Sequence, residues 1–312
     1  MKRKRKVQIL KEELYLFDYL FRHRVATGKA IHRDVYTKYK SFETTRNRLV
    51  RLRKNGLIKG RYFNLESRDM CYRLTSATVK KYIDFSKNAY VWKGTNSPGH
   101  DIDLIDIWKT LKNRDIINYM LTEHEYNVRD SSKCCHARSM LGELRPDGFL
   151  EITLGDESFV ATLEYEKSPK SNLRYLEMID RYYRNKEVKV VFYISEEKHV
   201  ENQVKRAELE YRTRSQEPKF FYAMKKDVLC SDDIIFRSVG DCEYEIKLRL
   251  TATDRATKVA NSVALNSMQS IENIRENIVE DFFDKIPSSP LCREYNNKPQ
   301  TTINETGGLN GN

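Results

Sequence analysis

The sequence predicts an α/β (α+β) protein made of two dissimilar domains, and three observations support this prediction. With 312 residues the chain is long enough for two domains. Residues 1–90 show the apolar spacing of short helices and then of two short strands, whereas residues 100–250 alternate between helical and strand patterns. Between these regions, residues 92–99 read Trp-Lys-Gly-Thr-Asn-Ser-Pro-Gly, a composition typical of a linker.

Charge is distributed unevenly along the chain. The net charge is +11, and residues 1–60 hold 18 Lys and Arg against 5 Asp and Glu, so that the remainder is slightly acidic. A basic block at one end of a chain favours a polyanionic partner. No apolar run approaches the length of a membrane span, so we expect a cytoplasmic protein without membrane insertion. The string Cys134-Cys135-His136 lacks the spacing of zinc ligands, and we interpret it as a loop.

Three helices are predicted in the first 60 residues. Residues 7–22 and 29–39 place apolar side chains at helical spacing. A third helix would begin at Ser41, a preferred N-cap residue, and end at Gly56, a preferred C-cap residue. Its inward positions are Leu49, Val50 and Leu52. Its outward positions are Thr44, Thr45, Arg46, Arg48, Arg51 and Lys54.

Two strand-like runs, 57–63 and 70–74, follow these helices. Three helices and a hairpin, with the string Arg-Leu-Val-Arg-Leu-Arg-Lys-Asn-Gly-Leu-Ile and a later Tyr-Arg-Leu-Thr, closely resemble the winged helix-turn-helix family. The resemblance implies that the third helix enters the major groove of double-stranded DNA. The residues nearest the base edges would be Thr44, Thr45, Arg46 and Arg48. The alternative is a protein-interaction module whose basic face is only solvated.

Two glutamates, Glu164 and Glu166, end the apolar run 159–167 and share one face of the predicted strand. Carboxylates on one face of a half-buried strand repel each other and are hard to bury unpaired. A divalent cation resolves both problems, and a third carboxylate, Asp147, would complete a site for Mg²⁺ or Mn²⁺. The simpler alternative is an edge strand whose glutamates point into solvent.

The second domain is predicted to contain both helices and strands. In order these are a helix at 100–113, an irregular stretch to 144, strands at 148–154 and 159–167, a helix at 172–185, a strand at 188–195, a helix at 200–211 and a final strand at 219–224. This order resembles the αβββαβ core of restriction-endonuclease-like enzymes, the PD-(D/E)XK superfamily. A C-terminal helix at 251–287 and a disordered tail at 288–312 would complete the chain.

Position 166 is glutamate where the strict PD-(D/E)XK motif has lysine, a replacement that some members of the superfamily share. Lys167 would project to the opposite face of the strand, whereas Lys170 could fold back over a metal, so we favour Lys170 as the lysine of the site. There it would stabilise charge on a phosphate or orient the nucleophile. His100 is a further catalytic candidate, and its alternative role is to cap a helix.

The order of the motifs resembles a narrower family. The strings are Gly-His100-Asp-Ile-Asp-Leu, Leu-Thr-Glu123-His-Glu125, Leu-Arg145-Pro-Asp-Gly148, and Leu-Glu-Tyr-Glu-Lys-Ser-Pro-Lys-Ser-Asn-Leu-Arg-Tyr over residues 163–175. Together they resemble the replication-relaxation family, and more closely the MobC-type relaxases of mobilisable plasmids and integrative elements. The resemblance spans about residues 10–225. It implies metal-dependent nicking of one strand at a double-stranded transfer origin, in a bacterial cytoplasm, with other mobilisation or coupling proteins as partners.

Two alternatives remain. Tyrosine relaxases use a His-hydrophobe-His motif, which this sequence lacks, and Tyr182-Tyr183, which resembles a paired nucleophile, fits core packing better. The missing lysine at position 166 instead favours a non-catalytic DNA-binding replication initiator or transcriptional repressor with a degenerate nuclease core. The amphipathic residues 258–285 would be the place for a homo-oligomer contact.

Overall fold

A computed structural model describes residues 8–64, 69–83, 97–128, 144–212, 216–240, 244–251 and 254. Almost all of them belong to the first of two units, Met1–Ala252, and the second unit is Thr253–Asn312. The predicted tail, all but residues 251 and 254 of the predicted C-terminal helix, most of the predicted linker and the Cys134–His136 string lie outside the described residues. The mixed α+β class is confirmed, because helices accompany one three-stranded and one seven-stranded sheet.

The N-terminal part of this unit contains the smaller sheet. In chain order, α1 spans Lys11–His23, β1 Ala26–Thr27, α2 Gly28–Asp34, α3 Phe42–Lys54, β2 Ile58–Asn64, β3 Asp69–Leu74 and α4 Ser76–Tyr82. The sheet has the order β1-β3-β2, and both pairings are antiparallel. Helix α3 begins as predicted, because Ser41 Oγ accepts a hydrogen bond from Thr44 N at 3.4 Å. It ends at Lys54 with Asn55 as its C-cap, and the predicted cap residue Gly56 follows directly with a φ of +73°. Helix α2 ends five residues earlier than predicted.

The larger sheet follows. Its elements are α5 Pro98–Lys112, β4 Ile117–Thr122, α6 Glu123–Val128, β5 Gly148–Leu154, β6 Glu157–Glu166, α7 Asn172–Arg184, β7 Val190–Ser195, α8 Lys198–Tyr211, β8 Phe220–Met224, α9 Lys225–Cys230, β9 Ile234–Arg237 and β10 Glu245–Leu248. The strand order is β10-β9-β8-β7-β6-β5-β4. The pairs β6–β7 and β7–β8 are parallel, and the other neighbours are antiparallel. Two predictions are wrong: part of the stretch thought irregular forms β4 and α6, and β8 is not the last strand.

Strand β6 lies inside the sheet, with β5 on one side and β7 on the other. The alternation predicted for it is confirmed. Ala161, Leu163 and Tyr165 join the apolar cluster beneath α5 and α9, whereas Val160 packs on the cluster beneath α7 and α8. The edge-strand alternative for the glutamates is therefore excluded.

The two sheets are joined by a packed interface. Helix α1 packs on α5 and α6, and Ile105 of α5 belongs to the apolar cluster around α1. Ion pairs across this interface include Arg22 Nε to Glu125 Oε1 at 2.9 Å, Arg24 Nη2 to Glu123 Oε2 at 2.9 Å, and Lys109 Nζ to Asp34 Oδ1 at 2.7 Å. Within the ranges given above, no helix combines the length and apolarity needed to cross a membrane.

Candidate functional site

Two of the three predicted carboxylates, Asp147 and Glu164, lie side by side at one end of the seven-stranded sheet. Asp147 directly precedes β5, and because Gly148 pairs with Leu163, Asp147 lies beside Glu164 of β6. The Asp147 Oδ2 atom accepts a hydrogen bond from the backbone N–H of Tyr165 at 2.8 Å. This bond fixes the carboxylate at the point where β6 extends beyond its neighbour. The structure therefore brings Asp147 and Glu164 together, as the sequence predicted.

Glu164 is partly buried against α7. The hydroxyl of Tyr182 donates a hydrogen bond to Glu164 Oε1, and Tyr182 itself is almost wholly buried. Burial and the nearby charge of Asp147 raise the pKa of Glu164 to about 8. The packing role expected for Tyr182 is confirmed, but this side chain also holds one oxygen of a candidate site residue. One signal for that contact was present in the sequence: a tyrosine on the buried face of the helix that follows the glutamate pair.

Glu166 and Lys170 form an ion pair. Glu166 is only 7% exposed, and Lys170 reaches it from the loop before α7. The hydroxyl of Tyr175 accepts a hydrogen bond from Lys170 N at 2.8 Å, which fixes this loop. Lys167 points to the other face of the sheet, where its Nζ contacts Asp103 Oδ2 at 2.7 Å. Of the two lysines, Lys170 thus lies next to the carboxylates, as expected.

His100 lies in the first turn of α5 and faces the same cluster. Its Nε2 atom is 3.0 Å from Tyr165 O and 3.4 Å from Asp147 Oδ2, and its Nδ1 is 3.4 Å from Asp101 Oδ1. Burial alone would lower the pKa of His100, but hydrogen bonds to Asp101 and Asp147 outweigh it and raise the pKa to about 10. A protonated imidazole that donates from both nitrogens orients Asp147. These contacts correspond to positioning rather than to capping of the helix.

A cleft of about 280 Å³ opens beside Glu164. It is lined by Leu144, Arg145, Glu164, Lys170, Arg174, Tyr175, Met178 and Arg181. Arg145, Arg174 and Arg181 are exposed, so three guanidinium groups and one ammonium group surround a single carboxylate. Arg145 and Arg181 are members of this cleft that the sequence did not single out. The spacing of Arg174 and Arg181, two helical turns apart with Met178 between, is the signal that could have identified Arg181. No such local signal marks Arg145.

On α3 the structure corrects two of the six outward positions. Thr45 is 0% exposed, and its hydroxyl lies 2.8 Å from His32 Nδ1. The Arg48 side chain is only 14% exposed, because its Nε donates to Glu13 Oε1 at 2.7 Å. Neither side chain can face DNA as predicted, because each is held against the protein interior. The prediction was wrong because helical spacing within α3 gave no sign of the buried Glu13 on α1. The other four predicted positions, Thr44, Arg46, Arg51 and Lys54, are exposed.

The arrangement of the carboxylates bears on the expected Mg²⁺ or Mn²⁺. In the described part of the chain, no three His, Cys, Asp or Glu side chains are grouped so as to hold a metal ion. Mg²⁺ is commonly held by one or two carboxylates with water completing its shell, and Asp147 and Glu164 supply such a pair. The hydroxyl of Tyr193, which pairs with Glu164 across β6 and β7, is buried without a hydrogen-bond partner in the described residues. Buried hydroxyls normally bond to something, so a hydrated cation at this pair fits the residues present.

Comparison with known proteins leaves this site without an assigned precedent. No family model matches the sequence, no curated protein matches it, and no solved structure matches the fold.

Proposed function

We propose that this protein binds double-stranded DNA through its N-terminal helices and hairpin and cleaves one strand at the carboxylate cluster of the larger sheet. The observation that supports this most strongly is the meeting of Asp147, Glu164 and Lys170 beside a cleft lined with arginines. Acidic groups for a cation and basic groups for a phosphate, side by side, are what phosphodiester hydrolysis requires.

The order of elements supports a restriction-endonuclease-like core. Helix α5 precedes the antiparallel strands β4, β5 and β6, and α7 then leads to the parallel strand β7. Apart from α6, which lies between β4 and β5, the described elements follow the order αβββαβ. Asp147 precedes the second of these strands and Glu164 lies on the third. These are the places that the resemblance to the PD-(D/E)XK superfamily assigns to its carboxylates.

The exposed basic side chains of the N-terminal part support a winged-helix mode of DNA binding. Arg46, Arg51 and Lys54 are exposed on α3. The adjoining hairpin exposes Lys59, Arg61 and Arg73. Helix and hairpin together present a basic surface that suits duplex phosphates, whereas base reading would fall to Thr44 and Arg46.

The roles of the site residues follow from their contacts. A bound Mg²⁺ or Mn²⁺ would polarise the phosphate and lower the pKa of an attacking water. Asp147 and Glu164 would hold the cation, and His100 and Tyr182 would fix their orientation through the contacts described above. Glu166 would hold Lys170 at the cleft, where its ammonium group would stabilise charge that develops on the phosphate.

The motif resemblance supplies the narrower proposal, a MobC-type relaxase that nicks a transfer origin to start conjugative mobilisation. Supercoiled plasmid carrying the element's own transfer origin should be converted to open circles by the protein with Mg²⁺ or Mn²⁺. Glu164→Ala should abolish nicking and leave duplex binding intact. Glu157→Ala, which changes an exposed glutamate on the same strand, is the matched control and should nick normally. Unchanged nicking by both Glu164→Ala and Glu166→Ala would refute the proposal.

One observation favours a second function, a DNA-binding initiator or repressor without catalysis. Glu166 is neutralised by Lys170, which leaves two carboxylates instead of three for a cation. On this hypothesis the protein binds the transfer-origin duplex in a gel-shift assay, but supercoiled plasmid stays intact with every divalent metal tried. Metal-dependent open circles would exclude it.

A further inference from the structure

The arginine-lined cleft next to Glu164 has a composition that the carboxylate cluster does not explain. Its lining holds four cationic side chains and one carboxylate, and Lys170 among them is paired with Glu166. Arg145 and Arg174 have no acidic partner among the described residues. Neighbouring guanidinium groups without acidic partners repel each other, and a bound anion would relieve this repulsion.

The backbone holds these arginines in place. Arg174 and Arg181 lie two turns apart on one face of α7, beside the buried Tyr175 and Tyr182 that anchor the helix to the sheet. Arg145 adopts a φ of +49°, a left-handed conformation that is rare for residues other than glycine. Backbone strain of this kind is concentrated at binding sites, where surrounding structure maintains it. Two of the cationic groups, those of Arg174 and Arg181, are therefore presented by one helix that is anchored to the sheet.

The size of the cleft limits what it can hold. About 280 Å³ is below the range of about 300–1,000 Å³ typical of pockets for drug-sized ligands. A phosphate with its adjoining sugar fits this space, and the apolar side chains of Leu144 and Met178 would contact the sugar. A duplex, whose major groove alone is about 12 Å wide, does not fit.

We propose that the cleft binds the phosphodiester backbone of one DNA strand, the strand that is cut, next to the phosphate that is attacked. Arginine suits this task because its planar fork can donate two parallel hydrogen bonds to one phosphate. The inference rests on the proposed nuclease function, and it adds the source of strand choice: only one strand's backbone reaches Glu164. The α3 surface then selects the duplex, and the cleft selects the strand.

The experiment measures binding of the full chain to a fluorescein-labelled twelve-nucleotide oligothymidylate, with chelator present so that no cleavage occurs. Arg174→Gln/Arg181→Gln should weaken binding by about tenfold or more, as expected for lost charged hydrogen bonds. It should also reduce the slope of log affinity against log salt by about 1.4, at about 0.7 per phosphate contact on a single strand. Arg145→Gln should act in the same direction. Arg184→Gln is the matched control, because it lies on the same helix, is exposed and pairs with Asp180 outside the cleft.

A second arm separates a DNA backbone from a free phosphate ion as the ligand. Inorganic phosphate, added at ionic strength matched with chloride, should not displace the oligonucleotide if the cleft is built for a backbone. Displacement at millimolar phosphate, or equal losses in Arg184→Gln and Arg174→Gln/Arg181→Gln, would overturn the inference. Nicking assays distinguish a failure of this inference from a failure of the proposed function. If the arginine variants lose oligonucleotide binding but the wild-type protein never nicks DNA, the cleft still binds a strand and the nuclease proposal is rejected.

Discussion

The buried pair between Arg48 and Glu13 offers the sharpest test of the corrected α3 surface. Glu13 on α1 is 0% exposed, and Arg48 contacts both of its carboxylate oxygens, at 2.7 and 2.8 Å. Arg48→Ala would leave a carboxylate without its cation in the core, with Tyr36 Oη and Leu10 N as its remaining donors among the described residues. Breaking a buried pair in this way costs about 3–5 kcal/mol, so the variant should unfold at much lower urea than the wild type at pH 7.

The pKa of Glu13 determines how the stability lost in Arg48→Ala depends on pH. Burial raises the pKa of Glu13, but the hydrogen bonds from Arg48 and from Leu10 N outweigh it and hold the pKa below its ordinary value of 4.5. The pair therefore contributes fully above pH 4.5, and its contribution is lost as the pH falls through the lowered pKa of the folded state. The gap between wild type and Arg48→Ala should be full at pH 7 and narrow below pH 4.

Circular dichroism in a urea series at both pH values measures this gap, and Arg46→Ala is the matched control. The Arg46 side chain is 63% exposed and, in the part of the chain that the structure describes, pairs only with the similarly exposed Glu43, so its loss should cost less than about 1 kcal/mol. Equal, small losses in the two variants would refute the buried placement of Arg48. If Arg46 contacts DNA, Arg46→Ala should weaken duplex binding without a loss of stability.

Three further predictions concern the buried histidines, the tyrosine that contacts Glu164, and the lysine that contacts Glu166. Burial lowers the pKa of His23 to about 3 and that of His124 to about 4, so between these values and pH 6.5 the unfolded chain binds protons at these residues that the folded protein does not. The melting temperature should therefore fall as the pH drops from 6.5 to 4. The variant His124→Leu should show a smaller fall. Tyr182→Phe removes the hydroxyl on Glu164 and should slow nicking about tenfold, whereas Tyr183→Phe, whose hydroxyl bonds to Glu208 Oε1 at 2.6 Å, should cost about 1 kcal/mol of stability and leave nicking unchanged; the opposite pattern would contradict the site. Lys170→Ala should abolish nicking, and Lys167→Ala, which breaks the contact with Asp103 on the other face of the sheet, should not.

Local signals in the sequence were sufficient for some elements. Ser41 and Gly56 set the ends of α3 because caps act through neighbouring backbone groups. The alternation of β6 likewise identified which side chains face α5 and which face α7. The position of Asp147 beside Glu164 was predictable from the resemblance, since two antiparallel neighbours place the start of one strand beside the end of the other.

Contacts between distant segments were not predictable in the same way. Strand β4 has no clear alternation, and its pairing with β5 includes a register shift between Ile117 and Tyr119. Strands β9 and β10 have only four residues each. Arg48 looked like an outward position because nothing within α3 indicates a carboxylate 35 residues earlier. The cleft was not predictable for a similar reason, because its lining combines Arg145 of one loop with two arginines of α7.

Mapping the nick itself tests most directly whether the carboxylate cluster cuts DNA with a bound metal ion. Supercoiled plasmid with the native transfer origin is incubated with chelated protein, and Mg²⁺ or Mn²⁺ is then added back while both strands are followed by primer extension. We expect one nick, on one strand, that appears only after the metal is added and is absent with Glu164→Ala but present with Glu157→Ala. Nicks that do not depend on metal, or that Glu164→Ala still makes, would contradict a role for this carboxylate cluster in cutting DNA.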